Sequence, residues 1–379
     1  MKKGNSVTFF GTYQNTLLYS RNIQIKQALI ELGYEIIECQ PKRNSTAPKE
    51  VISGRKSILK HLFRQAVEWL SLLRHTSTLR RQRIIIVPYP SHLDILLLRL
   101  LVIGKKPVII MDAFLGLYDT IVRDRQLIKS ESLLAEFVRW FEKFSLSLSD
   151  KVLIDTPEQE AMLSDNYQLE AGKCVTIPVG IDEQLWQATP VPAVENEYRV
   201  YFWGTFIPLH GIESIVEAAQ YLEPKADHIS ITLIGTGQTA EQVQQQLSAH
   251  WPKNLHWENT LLDHEALIAE VTKAHCVLGI FGQSEKAGNV IPYKIYQALC
   301  LNRPVITRES KTLTRDLQDY GIHTVPPGSG QLLADKILQL SQQDLSETPF
   351  EPRQYYQDNI SNAVIKRKVE QLMLDISDD

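Results

Sequence analysis

The sequence predicts an α/β protein of two doubly wound parallel-sheet domains facing one another across a cleft. Three observations carry this. Short apolar runs alternate with helix-length amphipathic segments along most of the chain. The series stops near residue 188 and restarts after residue 198, with the proline-rich Thr189-Pro190-Val191-Pro192-Ala193 between. The length, 379 residues, suits two domains of ordinary size. In the first half Val7–Phe10, Glu35–Ile37, Ile84–Val87, Val108–Met111, Val152–Ile154 and Val175–Ile177 read as strands buried on both faces. Arg199–Trp203, Ile229–Ile234, Leu255–Trp257, Cys276–Ile280 and Val305–Thr307 form the second set. The expected boundaries are a first domain over 1–188, a linker over 189–198, a second domain over 199–350 and a helical segment over 351–379 that returns to the first domain. Open parallel sheets bind ligands beyond the carboxyl ends of their strands, so a pair of them implies a site in the cleft.

Composition narrows the function classes. Hydrophobic residues are 44% and charged residues 22%, values of a folded globular protein. The net charge of −4 gives no reason to expect nucleic acid as a partner. It hides an asymmetry: residues 1–190 hold 25 of the 40 basic residues but 20 of the 44 acidic ones, so +5 there stands against −9 in the rest. Cys39, Cys174, Cys276 and Cys300 lack the close spacing of a metal cluster and read as buried thiols of a reducing cytosol. Lys2 and Lys3 lead into polar residues rather than a secretory signal. The apolar run Ile95–Ile103 contains Arg99 and is short of the roughly 20 residues a spanning helix needs.

The segment from Tyr201 to Leu222 carries the strongest chemical signal. A strand ends at Gly204, and a helix opens at Gly211 with Ile212, Ile215, Val216, Ala219 and Leu222 on one face. Strand, glycine loop and helix N-terminus form an anion site, because unpaired amides and the helix dipole face the ligand. Gly235-Thr236-Gly237 follows the next strand as a second such loop. Tight turns after strands also need glycine for steric reasons alone. From Gly279 to Thr307 a polar loop carries Glu285, Lys286 and Asn289, and Pro292 stands where a helix begins, with Lys294 and Gln297 inside it.

Together these pieces resemble the nucleotide-sugar glycosyltransferases of GT-B architecture, and within them the large retaining family 4 of bacteria. The likeness covers most of the chain. The family usually closes its first domain with Ile-Pro-Asn-Gly-Val-Asp and an aromatic residue, matched here by Ile177-Pro178-Val179-Gly180-Ile181-Asp182 and Trp186. Its donor loop, a glycine followed by Arg and then Lys-Gly, corresponds to Gly204, Thr205, His210 and Gly211. Its paired acids correspond to Asn289 and Gln297, with Pro292-Tyr293-Lys294 and Pro304-Val305-Ile306 around them. Amides hydrogen-bond sugar or ribose hydroxyls but bring no charge. The resemblance implies a hexosyltransferase that moves sugar from a nucleotide diphosphate donor, UDP- or GDP-linked, to a hydroxyl acceptor with retention. It implies no cofactor and no metal. The implied donor set is Gly11, Gly204, Thr205, His210, Gly211, Gly235, Gly237, Asn289, Val290, Ile291, Pro292 and Gln297, with Asp112, Lys286 and Lys294 as catalytic groups. A GT-B subunit that binds the sugar nucleotide without turning it over is the alternative, motivated by the substitutions at Thr205, His210, Asn289 and Gln297. A GT-B phosphorylase or epimerase is a further rival.

On the acceptor side, Asp112 ends an apolar strand, and Tyr118, Asp119, Arg123, Asp124 and Arg125 form a charged cluster that either touches ligand or pairs with itself. Arg21 is placed to approach the donor phosphates from the first domain. Residues 55–83 hold eight basic residues, among them Lys60, Arg64 and Arg74, against Glu68 as the acid. Ile58, Leu59, Leu62, Phe63, Ala66, Val67, Leu70 and Leu73 recur there at helical spacing. A basic amphipathic helix near 57–75 suits an anionic membrane or acceptor, or packs on the sheet with a solvated basic face. The expected setting is the cytoplasm, with peripheral contact at the inner face of the plasma membrane.

Overall fold

A computed structural model describes residues 6–13, 20–41, 65–343 and 350–378. The chain divides into two units, 1–180 with 362–379, and 181–361.

The first unit is built on six parallel strands: β1 (Ser6–Phe10), β2 (Glu35–Cys39), β3 (Ile84–Val87), β4 (Val108–Phe114), β5 (Lys151–Ile154) and β6 (Cys174–Thr176), in the order β2-β1-β3-β4-β5-β6. Helices α1 (Ser20–Glu31), α2 (65–72), α3 (Thr76–Leu79), α4 (Asp94–Leu101), α5 (Leu133–Ser147) and α6 (Pro157–Tyr167) lie between the strands. Each strand offers apolar side chains to both faces, so two cores form. One joins Phe10, Ile85, Val87 and Met111 to Leu72, Leu98 and Leu146. The other joins Val7, Phe9, Ile86 and Ile110 to Ile25 and Leu29 of α1 and to Ile365, Val369 and Leu372. Caps fix the helix starts: the Ser132 and Thr156 hydroxyls accept the amides of Ala135 and Gln159, three residues on.

The second unit repeats the architecture with β7 (Tyr198–Trp203), β8 (Ile229–Ile234), β9 (Leu255–Glu258), β10 (Cys276–Leu278), β11 (Val305–Arg308) and β12 (Ile322–Val325). Their order, β12-β11-β10-β7-β8-β9, is the doubly wound dinucleotide-fold order, whose direction reverses between β7 and β10. Helices α7 (Ile212–Leu222), α8 (Ala240–Ala249), α9 (His264–Val271), α10 (Tyr293–Cys300) and α11 (Gly330–Ser341) connect the strands. Two more follow, α12 (Pro352–Asn359) and α13 (Asn362–Asp378).

Several expectations need correction. The sixth strand of the second sheet, Ile322-His323-Thr324-Val325, is short and half polar, so hydropathy did not mark it. The boundary lies at Gly180 rather than 188, and 189–198 is no free linker. Arg303, fully buried, donates from Nη1 to Thr189 O (2.8 Å) and from Nη2 to Thr189 Oγ1 (2.7 Å), Pro190 O (3.1 Å) and Thr272 O (2.8 Å). The segment 351–379 also splits. α12 stays with α10 in the second unit, while α13 packs on α1 in the first. The basic amphipathic helix falls partly outside the described residues, which resume at Gln65. From there on its faces are the reverse of those expected: Gln65, Trp69 and Leu72 turn inward, while Ala66, Val67 and Leu70 are exposed. Asp94 causes the inversion, because its buried carboxylate accepts from Gln65 Nε2 (2.6 Å) and Trp69 Nε1 (2.8 Å).

Two stability predictions follow from buried groups. Arg303→Met removes the donors that hold residues 189–190. It should lower stability by about 3 kcal/mol or more in denaturant titration and expose the 189–198 segment to proteolysis. His92 and His323 are both buried, and burial pushes each ring down to about 4. The unfolded chain therefore binds more protons, and stability falls as pH drops from about 6.5 toward 4, by up to about 1.4 kcal/mol per pH unit for each ring. Melting curves of His323→Gln against the parent should show a shallower acid slope; an unchanged slope removes His323 as a cause.

Candidate functional site

Where strand order reverses, the loops leaving β7 and β10 diverge, and open sheets have room for a ligand there. In the second unit three loops meet at that end: 204–211 after β7, 235–239 after β8 and 279–292 after β10. They come together because two glycines have no side chain to keep them apart. A Cβ at Gly235 (φ +149°) would overlap Gly204 O, and one at Gly211 (φ +61°) would stand 2.6 Å from Gly282 N. Backbone bonds lock the contacts. The Phe206 amide donates to Thr236 O (2.9 Å), and the Phe281 amide donates to His210 O (2.9 Å). Gly237 faces Phe206 in the same way. The glycine loops thus have a packing role independent of any phosphate.

What this seam encloses is chemically unusual. Pro292 occupies the N-cap of α10, so Lys294 and Gln297 lie in its first turns, one above the other. Lys294 Nζ is buried 3.9 Å from the centre of the Phe202 ring, and no hydrogen-bond acceptor among the described residues reaches it. Burial pushes its pKa well below the usual lysine value. The His210 ring meets the same phenyl edge-on, with centroids 5.4 Å apart. Both converge on the end of β7: a Cβ at Gly204 would lie 3.3 Å from His210 Cε1 and 3.6 Å from Lys294 Nζ. Gln297 is buried and accepts the Trp203 indole N–H at Oε1 (3.0 Å). Because an indole can only donate, that end of the amide is the oxygen.

The loop after β10 is held from β11. Arg308 donates to the carbonyls of Gly282 and Ser284, and the turn that carries Lys286 and Asn289 is buried along with Val290 and Ile291. Sequence reasoning passed over Arg308; its signal was a cation directly at the carboxyl end of an apolar strand. Thr205 is half-buried in the β7 loop.

In the first unit the structure engages the expected groups internally. Arg21 donates from Nε to both Asp112 oxygens (3.0 and 2.9 Å), from Nη1 to Ile177 O and from Nη2 to Ile154 O (3.2 Å). Both partners are buried, with side chains 4% and 1% exposed. Burial pushes the Asp112 carboxyl up, and the guanidinium opposes that shift. The pair ties α1 to the ends of β4, β5 and β6, so both side chains already have partners within the unit. Gly11 ends β1 beside Asp94, whose carboxylate accepts the Thr12 amide (2.6 Å) and hydroxyl (2.9 Å). That amide is already bound to an anion. Within the cluster Asp119 meets Arg123 at 3.1 Å and the Arg123 guanidinium lies 5.7 Å from the centre of the Tyr118 ring, while Arg139 of α5 lies 4.5 Å over the same ring. Glu142 accepts the amides of Leu117 and Tyr118 and the Tyr167 hydroxyl.

The seam makes a stability prediction. Gly235→Ala should destabilise far more than Gly104→Ala. Both glycines have positive φ, but only Gly104 has nothing within 4 Å of an added Cβ. Gly104→Ala should cost about 1–2 kcal/mol, the intrinsic penalty of the left-handed region. Gly235→Ala should cost at least twice that in denaturant titration. Equal losses would show that the loops part without difficulty.

No protein-family model matches the chain, and no curated protein sequence does so either. Solved structures do share its fold. Sucrose-phosphate synthase from Thermosynechococcus elongatus superposes with a TM-score of 0.72 at 17% identity, over 98% of this chain and 99% of that one. An E. coli trehalose-6-phosphate synthase bound with UDP-2-fluoro glucose gives 0.68 at 13% identity, over 98% of each chain. Anabaena HepE in complex with UDP and glucose gives 0.64 at 12% identity, over 98% and 99%. The two Rossmann-like units of this chain therefore have the GT-B fold.

Proposed function

We propose that the chain is a glycosyltransferase that takes a hexose from a nucleotide diphosphate sugar, binds that donor in its second unit, and transfers the sugar to a hydroxyl acceptor. The observation that carries the reading is Lys294. A lysine ammonium buried without an acceptor is costly unless an anion completes it. It lies at the strand end where open sheets take nucleotides. There it stands beside the loop in which Thr205 and His210 take the places of the resembled family's Arg and Lys. Structures of the same fold hold UDP or a UDP sugar, which supports UDP as the first donor to test.

In the proposed reaction the acceptor oxygen bonds to the anomeric carbon while the bond from that carbon to the β-phosphate oxygen breaks. The hydroxyl proton passes to the departing phosphate oxygen on the same face of the sugar, which gives retention without a metal. Negative charge grows on the leaving diphosphate. Lys294, protonated as the donor binds, meets that charge, with His210 at the same strand end and Lys286 in the loop after β10 assigned to the same diphosphate. Gln297 and Asn289 are assigned to donor hydroxyls and orient rather than neutralise. Membership of retaining family 4 and a bacterial setting accompany this reading on the strength of the sequence motifs.

Calorimetry with UDP and GDP in chelator tests it. An anion beside Lys294 raises the depressed pKa, so binding should take up close to one proton between the empty and bound values. Affinity should accordingly fall as pH rises through that window. Repeating the titration in buffers of different ionisation heat measures the uptake directly. Lys294→Met should abolish it and weaken binding about 10- to 100-fold, the range of a charge-assisted bond. Gln297→Ala should weaken binding by about 1–2 kcal/mol, and Gln297→Glu should bind at least as well as the parent. A strict requirement for a divalent ion would argue against the metal-free course. Failure to bind any nucleoside diphosphate would sink the reading, and binding without transfer or donor hydrolysis would leave a non-catalytic subunit.

A further inference from the structure

Three helices cover one face of the first sheet, and each turns apolar side chains to the outside. α2 reaches α4 through Gln65 and Trp69 on Asp94; α4 reaches the end of α5 through Arg99, whose Nε donates to Leu148 O. On the outer side Leu70 is 69% exposed, and Leu100 and Ile103 are 64% exposed.

The outer face of α5 is the most developed. Leu133, Phe137, Trp140 and Phe144 follow the spacing of a single helical stripe and are 90%, 55%, 58% and 41% exposed. Their rings form a ladder: Phe137 to Trp140 at 5.8 Å, and Trp140 to Phe144 at 5.5 Å and nearly parallel. The inner face of the same helix is already satisfied by Ala135, Val138, Ser145 and Leu146. α5 is thus apolar on two sides with a narrow polar sector of Glu136, Arg139 and Lys143, and among the described residues only one apolar side has a partner. Scattered exposed leucines need no explanation, but a continuous aromatic stripe does.

Charge identifies the partner. Residues 69–111 hold seven basic residues and one acid, Asp94, which is buried. Arg80, Lys105, Lys106, Lys129, Arg139 and Lys143 are exposed on or beside these helices, twice the number of exposed acids there, Glu131, Glu136 and Asp150. Aromatic and aliphatic side chains bordered by an excess of cations match the boundary between headgroups and acyl chains of an anionic bilayer.

We propose that this face docks the chain on an anionic lipid surface. The stripe of α5 enters the headgroup–acyl boundary, and the surrounding lysines and arginines sit on lipid phosphates. The inference goes beyond sugar transfer and does not depend on it. No described helix is long and apolar enough to cross a membrane, so the contact is peripheral.

The test uses the full chain with vesicles of phosphatidylcholine, alone or with about a third phosphatidylglycerol. The parent should cosediment with the anionic vesicles at low salt, much less with neutral ones, and release as salt rises, because such attraction is screened over roughly 10 Å at 0.1 M. The Phe137→Ser, Trp140→Ser double variant should lose at least tenfold in partitioning at an unchanged melting temperature. A Lys105→Gln, Lys106→Gln, Lys143→Gln variant should bind with a weaker salt dependence. UDP titration of both variants should match the parent, which separates this inference from the donor site. It is overturned if the parent ignores anionic vesicles at low salt or if the double variant binds as well. A parent dimer that the double variant turns into a monomer would assign the face to a second copy, and a large fall in melting temperature would assign it to another part of the chain. Either result also overturns it.

Discussion

The second unit depends on backbone approaching backbone where side chains normally intervene. Gly235 against Gly204 and Gly211 against Gly282 bring the loops of β7, β8 and β10 into direct contact. The hydrogen bonds of Phe206 to Thr236 and of Phe281 to His210 then become possible. With the loops closed, little space remains at the end of β7. Lys294 and His210 are confined there against Phe202, and Gln297 is held by Trp203. Remove the close approach and the buried ammonium has no reason to stay buried. The glycines therefore act on the chemistry through packing, whatever their amides also do for a ligand.

The two units treat buried charge differently. In the first, each buried charge described above has its partner inside the unit: Arg21 with Asp112, and Asp94 with Thr12, Gln65 and Trp69. Such closure makes a rigid platform whose strand ends are filled by its own side chains. In the second, Arg303 spends its donors on carbonyls and a hydroxyl of the chain, but among the described residues Lys294 meets only the face of a phenyl ring. A cation–π contact offsets part of the desolvation of an ammonium and leaves the rest. That difference is why the donor site is sought in the second unit.

The +5 of residues 1–190 takes on a location in the structure. It is carried in part by the helices over one face of the first sheet, whose outer sides are also apolar. Some acids of the same unit are internal: Asp94, Asp112, Asp119, Asp124 and Glu142 are buried, and of these Asp94, Asp112, Asp119 and Glu142 hold hydrogen bonds or ion pairs within the unit. Burying the acids leaves the surface more basic than the sequence total suggests.

The parallel sheets were legible in the sequence because a strand buried on both faces must be apolar throughout, so eleven of the twelve strands stand out as short hydrophobic runs. The glycine loops and the helix after Pro292 were legible too, since turn chemistry is local. What sequence could not assign was the partner of each polar group. Asp112 and Arg21, 91 residues apart, read as separate functional groups, yet tertiary contact makes them one buried pair. The stripe of Val67 and Leu70 read as inward-facing, and Asp94, far along the chain, turned that helix over by binding Gln65 and Trp69. Periodicity shows that a helix has faces; it does not say which face wins, because a buried carboxylate demanding hydrogen bonds outweighs the burial of a few methyl groups. Local propensity and hydropathy decided the elements of this protein. Long-range satisfaction of buried polar groups, visible only when distant segments meet, decided which residues were left to act on something else.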